Sequence, residues 1–72
     1  MKVKELFSVI SYQDTQMWNA RAGEPCETIR HYYESGRILK KYGDMEVLGI
    51  AAKITEDGKP YLAILVALET NF

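Results

Sequence analysis

The sequence predicts a small α+β domain: an antiparallel sheet with two short helices on one face, in the order helix, strand, strand, helix, strand, strand. Three observations predict it. The opening residues carry the apolar spacing of an amphipathic helix, a second helical stripe runs between Ser35 and Gly43, and the last third alternates on both sides of an Asp-Gly pair. The 72 residues form one domain, residues 1–72, holding two hairpins at about 15–33 and 46–68.

Val3, Leu6, Phe7 and Ile10 fall at i, i+3, i+4 and i+7, which is the stripe of the first helix. "SYQDT" breaks that period. "QMWNAR" follows as a strand, since Met17 and Trp18 suit a pleated surface and no helical stripe persists. Gly23 and Pro25 supply a turn, and "CETIRHYY" returns as the second strand on the strength of Thr28, Ile29, Tyr32 and Tyr33. In the second helix Ser35 can cap, Ile38, Leu39 and Tyr42 form the stripe, Lys40 and Lys41 sit in the last turn, and Gly43 ends it. "MEVLGIAAKIT" and "PYLAILVAL" then pair across "EDGK", where Asp57-Gly58 favours a tight turn and Pro60 begins the returning strand at little cost to the ladder.

Alternation along the terminal hairpin sorts its residues into two faces. Leu48, Ile50, Ile54, Leu62, Ile64, Val66 and Leu68 are expected to meet Val3, Leu6, Phe7, Ile10, Ile38 and Leu39 in the core. That leaves Val47, Gly49, Ala51, Tyr61, Ala63, Leu65 and Ala67 on the far face, apolar and made largely of small side chains. An open antiparallel sheet keeps polar residues on its solvated side. The expectation is therefore a homo-oligomer closed through Val47, Ala51, Tyr61, Ala63, Leu65 and Ala67, with a fold-over of the chain itself as the alternative.

A domain of this size buries only about 60% of its unfolded surface. Cys26 is the single cysteine, so an internal disulfide cannot form, and a reducing, cytoplasmic setting is expected. One Cys and one His fall short of a structural zinc site, and no cofactor or metal is expected. Nine Lys and Arg against ten Asp and Glu leave a formal charge of −1, which argues against a dedicated nucleic-acid binder. The amino end is no signal peptide, and no apolar run reaches the roughly 20 residues of a membrane span.

Catalytic signatures are weak. Cys26 and His31 lie five apart on one expected strand, so their side chains face opposite ways and cannot pair as nucleophile and base. The glycines are scattered singly, with no phosphate-binding loop, and the carboxylates fall at turns and strand ends. The protein is expected not to be an enzyme. What stands out is Trp18, Arg21, Arg30, His31, Tyr32, Tyr33 and Arg37, a set of the residue types that dominate binding hot spots. The alternative for each aromatic is a place in the core, and for each arginine an ordinary solvated charge.

"MKVKELFSVIS", the "DT" that follows and "YGDMEVLGIAAKITEDGKPYLAILV" together resemble short accessory proteins of phages, prophages and mobile elements of Gram-positive bacteria. Asn19 and Arg21 depart from the more regular alternation of that group after Asp14 and Thr15. The resemblance implies stoichiometric binding in the host cytosol, for example to a bacterial immune component. A nucleotide sponge holding its ligand with Arg30 or Arg37 between subunits is the second reading, and a structural or regulatory phage part the third.

Overall fold

The computed structural model describes residues 1–67. The elements are α1 (Val3–Phe7), β1 (Thr15–Asn19), β2 (Glu24–Pro25), a single 3₁₀ turn (Tyr32–Glu34), α2 (Ser35–Tyr42), β3 (Val47–Ile54) and β4 (Pro60–Val66). The chain adopts the expected α+β architecture, with both helices against one face of a four-stranded sheet of order β2-β1-β4-β3.

The sheet is mixed rather than purely antiparallel. β3 and β4 form the antiparallel hairpin read from the Asp57-Gly58 signal, but β1 lies parallel to β4, with Thr15 beside Leu62 and Asn19 beside Val66. Bonds from Leu62 N to the Asp14 carbonyl and from Ala20 N to the Val66 carbonyl, each 2.9 Å, extend that ladder at both ends. β4 is thus a central strand, so side chains of β1 and β3 stand on either side of its own on each face of the sheet. Local pattern marks β1 as a strand but says nothing about which distant strand it will join.

"CETIRHYY" is not a strand. Only Glu24 and Pro25 pair with β1, opposite Asn19 and Trp18. Beyond them the chain stays beside β1 through Cys26 N donating to the Met17 carbonyl (2.8 Å) and a reciprocal pair between Arg30 and Thr15 (2.7 and 2.9 Å). It then coils into the 3₁₀ turn, so Cys26 and His31 share no strand. Cys26 packs at the core edge instead, where burial and the neighbouring Glu27 push its thiol pKa up.

Val3, Leu6, Met17, Ile38, Tyr42, Ile64 and Val66 make the core, with Phe7, Ile10, Met45 and Val47 packed around it. At the start of α1, Lys2 N donates to Glu5 Oε1 (2.9 Å), satisfying one of the free donors that every helix start presents. Gly43 follows α2 in right-handed geometry, not in the left-handed C-cap its identity suggests. A Cβ there would collide with the Leu39 carbonyl, so the requirement for glycine is close approach. In the terminal hairpin only Gly58 takes a positive φ, +87°, and Thr55 fixes the turn by accepting Lys59 N on Oγ1 at 2.9 Å.

Two expectations about the terminal hairpin are corrected. Leu48, Ile50 and Ile54 are not core: they are 58%, 48% and 71% exposed. The helices are short and cover β1 and β4, leaving the same face of β3 open. Val47 is not on the far face either. An irregularity between Val47 and Gly49 shifts the alternation, and Val47 packs against the core. Leu68 lies outside the described residues.

The far face is roofed by the chain itself. Trp18 on β1 and Lys53 on β3 reach across β4, the Lys53 ammonium 4.2 Å from the centre of a Trp18 ring. Ala63 lies on the diagonal between them and is 1% exposed. A small residue is required there because a ring and a lysine stem fill the space above it. Ala51, Tyr61, Leu65 and Ala67 are half-buried around this roof.

Candidate functional site

The strand β1 and the turn before α2 converge through one side chain. Asp14, immediately before β1, accepts Tyr32 N on Oδ1 (3.1 Å) and faces His31 Nδ1 with Oδ2 (3.0 Å). A carboxylate that contacts two successive residues fixes the backbone between them, leaving the His31 ring exposed and the Tyr32 ring half-buried. Tyr33 stacks on His31 with ring centres 5.4 Å apart and planes 20° from parallel, yet remains 82% exposed. Tyr12 meets Tyr32 at 5.0 Å and is 84% exposed. Tyr12 also holds a φ of +55°, a left-handed conformation that costs a non-glycine residue on the order of 1–2 kcal/mol.

Beyond Tyr33 the start of α2 forms an open, shallow depression lined by Tyr33, Glu34, Gly36, Arg37 and Lys40. Gly36 has nothing near the position of a Cβ, so it serves as an unfilled floor. Arg37 is exposed and lies 3.6 Å from Glu34 Oε1. Arg30 is differently placed. Its Nε lies 3.2 Å from Glu27 Oε2 and its Nη1 3.4 Å from Glu34 Oε1, so its guanidinium is already shared between two carboxylates.

Glu27 is the centre of the polar network beneath this surface. Oε1 accepts from Lys41 Nζ and from the Tyr42 hydroxyl, both at 3.0 Å, while Oε2 takes Arg30. Burial alone pushes the Glu27 pKa up. Hydrogen bonds from Lys41, Tyr42 and Arg30 outweigh it and hold the carboxyl below its ordinary range. The hydrogen bond to Glu27 raises the Arg30 and Lys41 pKa values, and burial, then the same carboxylate, raises that of Tyr42. The network ties the segment after β2 to α2, and Arg30, expected at the contact surface, is absorbed in it.

Of the sequence-derived set, His31, Tyr33 and Arg37 gather on one exposed surface with Tyr32 at its edge. Trp18 lies elsewhere, half-buried in the far-face roof, with Nε1 donating to Gln16 Oε1 at 2.9 Å. Arg21 sits in the exposed turn between β1 and β2, where its backbone N donates to Asn19 Oδ1 at 3.1 Å. Sequence reasoning missed Tyr12, Asp14 and Lys40. Lys40 carried a local signal, three residues after Arg37 on one helix, but that of Asp14 is tertiary: it is 17 residues from His31, and only the folding of 26–30 beside β1 joins them.

Among the described residues no cluster of His, Cys, Asp and Glu could hold a metal ion, and no helix is long and apolar enough to cross a membrane. No protein-family model, curated protein or solved structure matches the chain.

Proposed function

We propose that this protein works without catalysis, by stoichiometric occupation of another protein's surface, and that Tyr33, His31 and Arg37 make the contact. The observation that carries the reading is Tyr33, a large ring held in place by its stack on His31 but left 82% exposed beside an arginine. Tyrosine and arginine give large contact area or forked donors at low entropic cost, and a ring already braced loses little freedom on binding. Tyr12, strained and exposed, extends the same chemistry. In the setting implied by the resemblance to phage and mobile-element accessory proteins, the partner is a host protein of the bacterial cytosol, with an immune component the leading class.

The sponge reading has less to support it. A nucleotide phosphate would have to displace Glu27 and Glu34 from Arg30, and Glu34 also stands beside Arg37. Local carboxylates that already neutralise the arginines suit a protein partner better than a polyanion.

The test is native mass spectrometry of protein purified gently from host cells, with wild type compared against Tyr33→Ala and Arg37→Ala. Both substitutions lie on the surface and should leave the melting temperature unchanged. The expected result is a co-purifying protein in fixed ratio, lost in both variants. A bound mass of a few hundred daltons that vanishes in Arg37→Ala alone would replace this reading with the sponge. Inactivation of a target at ratios far below equimolar would point to turnover and overturn the non-catalytic premise.

A further inference from the structure

The two edges of the sheet are built differently. β2 is two residues long and ends in Pro25, which lacks a backbone donor, so that edge is blunted. β3 has eight residues and forms the opposite edge. Its beginning is covered by the chain itself: Lys2 bridges Glu46 antiparallel, Val47 N donates to the Met1 carbonyl (2.8 Å) and Val3 N to the Met45 carbonyl (2.9 Å). From Leu48 to Ile54, β4 flanks it on one side, and among the described residues no strand lies on the other.

Within that free stretch Leu48, Ile50, Ala52 and Ile54 are all exposed, and the single charge is Lys53. A lysine commonly guards an edge, but this one has its ammonium drawn over the Trp18 ring on the far face. The edge therefore keeps unpaired backbone groups, apolar side chains and no guard.

We propose that β3 pairs antiparallel with β3 of a second copy about a two-fold axis at Ala51, joining the two sheets into one. Ala51 is the midpoint of the free stretch 48–54, so this register uses all of it and stops short of the N-terminal segment in both copies. Ile50 then faces Ala52 of the second copy and Lys53 faces Gly49 of the second copy, so a large side chain meets a small one beside the axis, while at each end the exposed Leu48 faces the exposed Ile54 of the second copy in an apolar pair. The complementarity is reciprocal, as a two-fold interface requires, and it keeps the two Lys53 side chains apart, each over its own Trp18. A net charge of −1 per chain opposes the association only slightly.

Sedimentation of the purified wild type across a concentration series should show the mass doubling, with slowed amide exchange of 48–54 as the dimer forms. The double variant Ile50→Lys, Ala52→Lys sets lysines directly opposite one another across the axis and should remain monomeric, with an unchanged circular dichroism spectrum because both positions are exposed. An equimolar mixture of Ile50→Lys chains with Ala52→Glu chains should recover the doubled mass, since these positions face each other in the proposed register. A wild type that stays monomeric throughout overturns the proposal. So does a dimer that survives the double substitution, and a mixture that fails to recover rules out the register.

Discussion

Replacing Glu27 by Gln tests the network that holds the segment after β2 against α2. The amide keeps the shape and can still accept from the Tyr42 hydroxyl, but it loses the charge that faces Arg30 and Lys41. Hydrogen bonds to a charged group contribute about 1.5–3 kcal/mol and neutral ones about 1, so each converted bond loses about 0.5–2. Lys41 is exposed and its share is screened, which leaves a loss of about 1–2 kcal/mol in all. For a domain of this size that lowers the melting temperature by roughly 4–16 °C. Glu27→Ala should lose about 2–4 kcal/mol, because the hydroxyl of the buried Tyr42 is then left without an acceptor. The pH dependence fixes the cause. The folded-state pKa of Glu27 lies below its ordinary 4.5, so its contribution is fully present above that value and disappears as pH falls through the folded pKa. Thermal melts of wild type and Glu27→Gln should therefore differ by a constant amount near neutrality and converge on acidification below 4.5. Equal melting temperatures at neutral pH, or a gap that persists unchanged in strong acid, would refute the reasoning.

Gly43→Ala forces a Cβ into the Leu39 carbonyl and should destabilise by about 1–3 kcal/mol, the usual range for overpacking, as read by urea denaturation. A neutral result would mean the end of α2 relaxes freely. Trp18→Ala should remove the roof over Ala63 and lose about 2–4 kcal/mol, somewhat below a fully buried tryptophan because Trp18 is only half-buried. Lys53→Ala should lose only about 0.5–1 kcal/mol, the scale of an exposed cation–π contact. If the two substitutions have similar effects, the roof depends on the pair rather than on the ring.

Both helices, the terminal hairpin and its turn were legible in the sequence because each rests on contacts a few residues apart: an i, i+3, i+4 stripe, a glycine at φ +87°, an alternating run. The proposed contact surface was legible in part. His31, Tyr33 and Arg37 were found from residue type, since they are close in sequence to the turn that presents them. Trp18 and Arg30 belong to the same types but serve other ends, and composition cannot separate an arginine shared by two carboxylates from a free one. Tyr12 and Asp14 were invisible because their role depends on a meeting with residues 31 and 32 across the fold.

By itself the sequence determined the α+β class, the two helices, the first strand and the terminal hairpin in their order, and a chain that cannot close an internal disulfide. Only the tertiary structure decided that β1 runs parallel to β4, that β3 rather than the far face is left apolar and open, and that Glu27 gathers Arg30, Lys41 and Tyr42. The physical reason is one of range. Helical and hairpin hydrogen bonds close over short loops and leave a local pattern, whereas strand order, helix coverage and buried ion pairs are chosen by packing between distant segments, where a one-residue irregularity at Leu48 is enough to turn Val47 inward.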